Sequence, residues 1–528
     1  METASSPDPS PGDASPSERV SIAIGLKRPI GGPGSGVDPA LLEQAVDLLR
    51  REGFAVTGIG SQTIVISGTA RRFEELFHSK LERSVIADAW NYSSRVEHLV
   101  IEPARWSEFA VLDSLVEQIS IERPHVYLAT DPCVAQPARA PRSWATLGAP
   151  FAAVSARPPP IAGGDRLDVL RDVPRLLRAD RVHADGFRGR GVRVVMIDSG
   201  FAHGHPFFVA NGFRSKVCLA PLLDPGSTAF DVDRRGHGTG ESANLFAVAP
   251  EVELIGIKLS PDLAGDDSPL LAPFLAALAH RPHIISISLA YDLCDTRTRI
   301  PETELRQPLR SLAVEIRDAV EQGIVVVAGS GNGHYGFPAQ MPEVIAAGGV
   351  FADDPHLANP ASKDPETLRA SNFASAFESA IFSGRHVPDC CGLVGEAPDG
   401  HYIVLPLPPG SLEDVERAGG RGVPGPTDRT RADDGWAVFS GTSAAAPQLA
   451  GVCALMLDAN PALEPADVKR ILCASAREVD EGSASALCVA PPGPPLEGKQ
   501  ATGAGLVDAA AAVKMALGEV RSGAHAGP

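Results

Sequence analysis

Short runs of β-branched and aliphatic residues alternate with helical patterns over most of the chain beyond residue 165. Nearly continuous apolar runs predict strands buried on both faces of a parallel sheet, at 192–197, 252–259, 284–289, 324–328 and 344–350. Between them, 270–280 and 308–322 carry apolar residues at helical spacing. This alternation predicts an α/β fold with a doubly wound, mainly parallel sheet and helices on both faces. Catalytic or ligand-binding residues are then expected in the loops at the carboxyl ends of the strands.

The first part of the chain follows a different pattern. Strand-like segments at 19–29, 63–68 and 96–101 alternate with helix-like segments at 39–53 and 70–77. This order predicts a small N-terminal α+β domain of the ferredoxin-like type.

Composition marks the boundaries between these parts. Pro, Ser and Asp dominate the first residues, which predicts disorder. Pro, Ala and Arg dominate a later stretch, which predicts a linker. The predicted organisation is a disordered N-terminus (1–18), the small domain (19–132), the linker (133–164), the α/β domain (165–521) and a tail (522–528). Within the α/β domain, 351–435 is Pro/Gly-rich and predicts surface loops, and 506–520 predicts a last helix.

Charge and cysteine usage narrow the classes of partner and compartment. The formal net charge of −18 argues against nucleic acid and anionic membranes as partners. No apolar run is long enough to span a bilayer, and the N-terminus lacks a secretory signal pattern. We therefore expect a cytoplasmic protein, or one exported without a classical signal peptide. The eight cysteines include no C-x-x-C pair, which predicts buried thiols and no zinc site.

A small hydroxyl residue stands at the start of the most apolar helical run. Ser443 lies in Gly-Thr-Ser-Ala-Ala-Ala-Pro (441–447), ahead of a run at 448–457 that predicts a buried helix. Backbone N–H groups and the helix dipole at such an N-terminus would stabilise an oxyanion forming at Ser443. The alternative is that Thr442 or Ser443 only caps the helix.

Two further polar residues stand in positions suited to activating a serine. Asp198 ends a buried strand, where a carboxylate can orient a histidine. His237 lies between glycines that allow close backbone approach. Each has a structural alternative, Asp198 as a turn former and His237 as a loop histidine. Their joint occurrence with Ser443, in the order Asp, His, Ser, favours a catalytic triad.

The blocks around these residues resemble those of the subtilisin-like serine peptidases. The resemblance covers about residues 165–520 and rests on Val-Met-Ile-Asp-Ser-Gly (195–200), Gly-His-Gly-Thr (236–239) and the Ser443 block. Supporting blocks lie at 248–250, 286–289, 325–332, 337–339 and 503–509. The resemblance implies that Ser443 attacks the scissile carbonyl, His237 moves the proton and Asp198 orients the imidazole.

The same resemblance implies further roles. Asn332 matches the family's oxyanion asparagine. Two segments match substrate-binding positions: Ser288, Leu289 and Ala290 as the edge that pairs with extended substrate, and Ala328, Gly329 and Ser330 as a wall of the first specificity pocket. The N-terminal domain resembles pro-segments of this clan. We therefore expect a protein or peptide substrate, and a zymogen whose own N-terminal domain inhibits it until it is removed.

The chain also departs from the family pattern. Gly240 replaces the usual second histidine, and Ala290 stands where many relatives have Gly. The stretch from His237 to Ala249 leaves little room for the calcium loop of many relatives, so no metal or other cofactor is expected. The sequence gives only weak support for metal binding by three residues near the triad, His203, His205 and Asp233. Two alternatives to a general endopeptidase remain: a catalytically silent peptide-binding scaffold, and a protease acting only on itself or one dedicated partner.

Overall fold

The structure is a computed structural model of the chain. It describes residues 12–13, 18–27, 37–87, 94–100, 102–122, 126–127, 154–159, 166–213, 215–219, 232–259, 269–294, 300–359, 361–396, 400–419, 429–439, 441–484 and 495–519. Most of the predicted linker and N-terminus, and the whole of the predicted tail, lie outside the described residues.

The N-terminal part contains eight strands and three helices among the described residues. They are β1 (Gly12–Asp13), β2 (Arg19–Leu26), α1 (Pro39–Arg51), β3 (Ala55–Ile59), β4 (Thr63–Thr69), α2 (Ala70–Phe77), β5 (Leu81–Ala87), β6 (Ser94–Val100), α3 (Ala110–Leu115), β7 (Val116–Ile121) and β8 (Val126–Tyr127). β1 lies inside the segment predicted to be disordered. It pairs antiparallel with β5. The expectation of disorder over 1–18 stays a prediction.

A four-stranded antiparallel sheet organises this part, with strand order β3-β4-β2-β7. Helix α1 begins at Asp38, whose carboxylate accepts the Ala40 N–H at 2.9 Å, and α2 begins at Thr69 in the same way. The helices and one face of the sheet enclose an apolar core that includes Ile22, Leu49 and Phe73. The order of strands and helices confirms the expected small α+β domain of ferredoxin-like type.

The larger part begins with β9 (Arg166–Asp168), α4 (Asp172–Leu176), α5 (Ala179–Ala184), β10 (Arg193–Asp198), α6 (Pro206–Asn211), β11 (Ser215–Leu219), α7 (His237–Val248), β12 (Glu253–Lys258), α8 (Leu271–Leu278), β13 (Ile284–Ile287), β14 (Leu289–Asp292), α9 (Gln307–Glu321), β15 (Val325–Gly329), β16 (Gly336–Phe337) and β17 (Ile345–Asp353). It continues with α10 (Pro355–Ala358), β18 (Thr367–Ala370), β19 (Phe377–Glu378), β20 (His386–Val387), β21 (Cys390–Leu393), β22 (Tyr402–Pro406), α11 (Leu412–Ala418), β23 (Trp436–Phe439), α12 (Thr442–Ala459), α13 (Pro465–Ser475), β24 (Glu481–Ala484), β25 (Leu496–Glu497), α14 (Gly498–Thr502) and α15 (Ala509–Gly518).

A ten-stranded sheet forms the centre of this part. Its order is β11-β12-β10-β13-β15-β17-β18-β24-β25, with β21 pairing β17, and β11 through β17 run parallel along it. Alternate side chains of β10 enter different clusters: Val194 and Met196 face α7 and α12, whereas Val195 and Ile197 face α8 and α9. Both faces are therefore covered by helices, which confirms the predicted fold class.

Two predictions about this part are wrong. The run 284–289 is not one strand, because the chain breaks at Ser288 between β13 and β14, and β14 joins a separate sheet. The stretch 351–435 contains five described strands and two helices, β18–β22 and α10–α11. β21 belongs to the central sheet and β22 is buried throughout. Their short length and the Pro and Gly residues around them conceal the strand pattern.

The N-terminal sheet lies against helices α8 and α9 of the larger part. Ala23 of β2 and Val65 of β4 belong to the same apolar cluster as those helices. Residues 154–159, from the predicted linker, also contact the larger part, because the Trp436 indole N–H donates to the Ser155 carbonyl at 3.1 Å. No helix among the described residues has the length and apolarity needed to cross a bilayer.

Four of the cysteines in the described part of the chain are free thiols, and three of these are buried. Cys390, Cys391 and Cys453 are free and fully buried, which confirms the expectation for the adjacent pair. Cys294 is disulfide-bonded, which the sequence did not indicate.

Candidate active site

Asp198 lies at the carboxyl end of β10 and is fully buried. Its Oδ1 accepts hydrogen bonds from the Ser199 N–H at 2.6 Å and from His237 Nδ1 at 2.7 Å. Because an ionised carboxylate can only accept, the His237 proton that faces it sits on Nδ1. The contact therefore fixes the tautomer and leaves Nε2 with the lone pair.

His237 is the first residue of α7, and the glycines on either side allow it to reach Asp198. Gly236 has φ +91°, a conformation that favours glycine. A Cβ on Gly238 would meet the Gly200 carbonyl oxygen at 2.3 Å and Asp198 Cβ at 2.8 Å. The start of α7 can therefore approach the end of β10 only because both positions lack a side chain.

Asp233 anchors the loop that carries His237. Its carboxylate accepts from the Ser199 hydroxyl at 2.9 Å, the Gly236 N–H at 2.9 Å, the Thr239 N–H at 3.0 Å and the Thr239 hydroxyl at 2.6 Å. A buried carboxylate with this many donors holds the loop on the end of the strand. Sequence reasoning considered Asp233 only as a weak metal ligand and missed this role, which its position three residues before Gly236 could have indicated.

The two histidines near Asp233 also have structural partners. Both ring nitrogens of His205 are engaged, Nδ1 by the Phe207 N–H at 3.1 Å and Nε2 by the Gly435 carbonyl at 3.1 Å. His203 Nε2 contacts the Ser242 hydroxyl at 2.9 Å, and burial lowers the pKa of His203 to about 3. Among the described residues, no group of three or more His, Cys, Asp or Glu side chains is arranged to hold a metal ion.

Charges around His237 set the pKa of its imidazole. Burial alone would lower this pKa, but the charge of Asp198 and the hydrogen bond to it outweigh burial, with smaller contributions from Glu241 and Glu413. The pKa of His237 is therefore raised above its usual value. An imidazole of raised proton affinity is a stronger base when it is neutral.

Ser443 is the second residue of α12 and is fully buried. Asn332, in the loop after β15, reaches the same helix start. Its Oδ1 accepts from the Thr442 N–H at 3.0 Å and from the Thr442 hydroxyl at 3.2 Å. These two donors fix the amide so that Oδ1 faces Thr442 and Nδ2, the donor of the amide, points away from it. The role of Thr442 in orienting Asn332 was not predicted.

The Ser443 hydroxyl does not bond to His237 in this structure. It donates to the Ser288 carbonyl at 3.2 Å, and the Ser288 hydroxyl donates in return to the Ser443 carbonyl at 3.0 Å. The structure thus joins Asp198 to His237 and Ser443 to Ser288. Between His237 and Ser443 themselves there is no hydrogen bond.

The predicted substrate-binding residues are all buried and lie on two neighbouring segments. Leu289 and Ala290 of β14 pair antiparallel with Tyr127 and Val126 of β8, from the N-terminal part of the same chain. The expected substrate edge is therefore covered by the chain's own strand.

The second segment lies at the end of β15. Ala328 and Gly329 complete that strand, and the Ser330 hydroxyl donates to the Ser375 carbonyl at 3.0 Å. The Gly331 N–H that follows donates to the Thr442 hydroxyl at 3.1 Å. This segment is thereby tied to the start of α12, next to Ser443.

Sequence reasoning also missed a set of buried polar residues behind the site. Glu241 and Asn244 lie on α7 and Gln448 lies on α12, and all three are fully buried. The signal was present, because these residues interrupt helices that are otherwise composed of small and apolar residues.

Comparison with known proteins agrees with this architecture. The profile described as the subtilase family matches residues 189–490, more than half of the chain. Subtilisin-like protease PopC of Myxococcus xanthus (strain DK1622) is 26% identical over 315 residues, which cover 56% of this chain and 57% of that protein. Subtilisin E of Bacillus subtilis (strain 168) is 25% identical over 310 residues, covering 56% of this chain and 62% of that protein.

A solved structure supports the fold. Fervidolysin from Fervidobacterium pennivorans, described as a keratinolytic enzyme related to subtilisin, superposes with a TM-score of 0.51 at 16% sequence identity. The match covers 95% of this chain and 62% of that one. This chain thus spans less than two thirds of the length of each of these relatives. From the profile match over 189–490, the chain belongs to the subtilase family.

Proposed function

We propose that the protein is a serine endopeptidase that cleaves peptide bonds through an acyl-enzyme. The observation that carries the proposal is the buried hydrogen bond of 2.7 Å between Asp198 and His237, in a subtilase-family chain whose Ser443 begins a buried helix. Such a pair orients an imidazole to act as a general base.

In the proposed reaction, His237 Nε2 takes the Ser443 proton as the hydroxyl oxygen attacks the scissile carbonyl carbon. The imidazolium then gives this proton to the leaving amine, and an ester remains on Ser443. A water molecule, deprotonated by His237, hydrolyses the ester and restores the hydroxyl. Asp198 keeps its charge throughout and stabilises the imidazolium.

Asn332 and the backbone N–H of Ser443 are the proposed donors to the oxyanion. The Asn332 amide is held by Thr442, immediately before the nucleophile, so Nδ2 is oriented before substrate binds. A donor oriented in advance stabilises the developing charge without reorganisation during the reaction.

The proposed attack requires the Ser443 hydroxyl to leave the Ser288 carbonyl. On this proposal the hydroxyl then donates to His237 Nε2, and catalytic hydrogen bonds commonly form only when substrate is bound. The present contact with Ser288 also favours the alternative of a catalytically silent peptide-binding scaffold. A fluorophosphonate probe separates the two, because it labels Ser443 only if His237 activates it. Absence of labelling in a chain freed of its N-terminal region would favour the scaffold.

We also propose that residues 19–132 act as a pro-domain that is removed in maturation. The pairing of β8 with β14 supports this, because it occupies the edge that an extended substrate would use. On this proposal the chain is cut on the C-terminal side of Tyr127, in the region that includes the predicted linker.

Intact mass and N-terminal sequencing test this proposal, with Ser443→Ala as the uncut reference. A wild-type chain that stays full length while it is fully active would refute maturation by cleavage. The third possibility is a protease that acts only on itself or one partner. It would show self-cleavage without hydrolysis of a general peptide library.

A further inference from the structure

A buried carboxyl group lies on the same helix as His237 and has no part in the mechanism above. Glu241 follows His237 by four residues on α7, one turn along the same helix face. Its side chain is fully buried. A carboxyl group is seldom buried without a cation or several donors, so its environment requires a physical explanation.

The hydrogen bonds of Glu241 can be assigned from the network around it. Gln448 on α12 is fixed by Leu393, whose N–H donates to Gln448 Oε1 at 2.7 Å and whose carbonyl accepts from Nε2 at 3.1 Å. Gln448 Nε2 therefore also donates to Asn244 Oδ1, at 3.1 Å. This orients Asn244 so that its Nδ2 donates to Glu241 Oε2, at 3.0 Å.

The other oxygen of Glu241, Oε1, is buried and has no hydrogen-bond partner among the described residues. An ionised carboxylate would leave this oxygen unsatisfied, whereas a protonated carboxyl can carry its proton there. Burial, together with the charges of Asp198 and Glu413, raises the pKa of Glu241 to about 8 even though His237 and Asn244 act in the opposite direction.

The charged groups around Glu241 distinguish it from its acidic neighbour. Glu413 on α11 forms ion pairs with Arg417 at 2.9 Å and with Arg235 at 3.5 Å, and these outweigh burial to lower its pKa. Asp198 on β10 is engaged by His237. Among the described residues, protonated His237 is the positive charge that lowers the pKa of Glu241.

We propose that Glu241 is a positioning residue that sets the proton affinity of His237 through a buried charge coupling, and so sets the pH at which His237 becomes a base. This rests on the proposed function for its catalytic meaning, but the coupling itself is a property of the two side chains. Ionised Glu241 raises the pKa of His237, and the charged imidazole in turn favours ionisation of Glu241.

The matched variant is Glu241→Gln, because glutamine keeps the shape and can still accept from Asn244. Its amide cannot ionise, so protonated His237 loses a stabilising neighbour. We expect the pKa of His237 to fall by about half a unit to one unit. The acid limb of kcat/KM should move to lower pH by the same amount. Glu251→Gln, which removes a partly exposed carboxylate three residues beyond the buried end of α7 at Val248, should leave both values unchanged.

The decisive measurement is an NMR titration of the His237 imidazole in the full-length Ser443→Ala chain, with and without Glu241→Gln. It requires no activity, so it separates failure of this coupling from failure of the proposed function. An unchanged His237 pKa in Glu241→Gln overturns the inference.

A second measurement avoids any substitution at this position. In the Ser443→Ala chain with 13C-labelled glutamate, the Glu241 carboxyl should titrate near neutral pH or above, in step with His237. Titration at its ordinary value of about 4.3 would also overturn the inference.

Discussion

Helices α7 and α12, which carry His237 and Ser443, contact the α/β core in a different way from the N-terminal sheet. Helices α7 and α12 are buried over nearly their whole length and share one apolar cluster with the central sheet. The N-terminal sheet has its own core, and its described residues contribute Ala23 and Val65 to the cluster around α8 and α9. The rest of that contact includes buried carboxylates that accept hydrogen bonds across it.

Because of these carboxylates, we expect the contact of the N-terminal sheet with α8 and α9 to be weaker than the apolar packing of α7 and α12. Glu315 of α9 accepts the N–H groups of Ser61 and Gln62, each at 3.0 Å. Glu122, just after β7, accepts the Leu271 N–H of α8 at 3.3 Å and is also bonded to Ser21. Burying a carboxylate costs free energy that its hydrogen bonds must offset. This difference in packing is consistent with the proposal that the N-terminal region is released while α7 and α12 stay in place.

The largest expected effect is at the nucleophile. Ser443→Ala should lower kcat by roughly 10⁴- to 10⁶-fold, because no other group can form the acyl-enzyme. The chain should also stay uncut in intact-mass analysis. Ser475→Ala, a buried serine on α13, serves as the control and should retain full activity. Turnover by the Ser443→Ala chain would exclude Ser443 as the nucleophile.

Asn332 should give the next largest effect. Asn332→Ala removes the proposed oxyanion donor and should reduce kcat by about 10²- to 10³-fold with KM nearly unchanged. Thr442→Val removes only the hydroxyl that contacts Asn332 Oδ1, at 3.2 Å, and should cost less. Steady-state kinetics on both variants test whether Asn332→Ala lowers kcat more than Thr442→Val does. A rise in KM alone would indicate that Asn332 binds substrate and does not stabilise the oxyanion.

The contact of the N-terminal sheet should weaken with Glu315→Ala. Two backbone N–H groups would lose a charged acceptor, at about 1.5–3 kcal/mol for each such bond as an upper guide. We expect the separated N-terminal region to bind the mature enzyme at least tenfold more weakly, measured as a rise in its inhibition constant. Glu321→Gln, an exposed carboxylate at the end of the same helix, is the matched control. Equal inhibition by all three proteins would show that Glu315 does not contribute.

The smallest expected effect, counted per pH unit, is a pH dependence of the binding of the N-terminal region. Burial raises the pKa of Glu122 to about 7, while an exposed glutamate titrates at about 4.3. The docked region therefore keeps a proton that the free region releases between these pH values. Docking is favoured at low pH and weakens as pH rises through this window, by up to about tenfold per unit. Glu122→Gln should flatten the profile; an unchanged slope would assign the dependence to another group.

Much of this architecture could be predicted because its signals are local. The β-branched runs ending at Asp198, the glycines around His237 and the small residues around Ser443 each determine their own backbone. The small N-terminal α+β domain likewise followed from its alternation of strands and helices. Its strands β3 and β7 were not predicted, and the strand predicted at 96–101 pairs with β5 in a separate sheet. Short elements inside 351–435 were missed because β21 depends on β17 for its pairing, and such a partner cannot be seen in the segment itself.

The buried network could not be predicted for the same reason. Gln448 and Asn244 are separated by 204 positions, and their hydrogen bond exists only once α7 and α12 have packed together. Glu241 appears in the sequence as one acidic residue in a helix. Its pKa is raised by burial in the packed core and by the charges of Asp198 and Glu413, which come from other elements.

The pairing of β8 with β14 also affects how well a free peptide could compete for the edge of β14. While the chain is continuous, the occupying strand is tethered, so its effective local concentration is of millimolar order and independent of dilution. A free peptide would have to exceed that value, or bind far more tightly, to gain entry. One cut in the tether would convert the same strand into a diffusible ligand that dilution alone can remove. The onset of activity would then depend on how concentrated the protein is when it is cut.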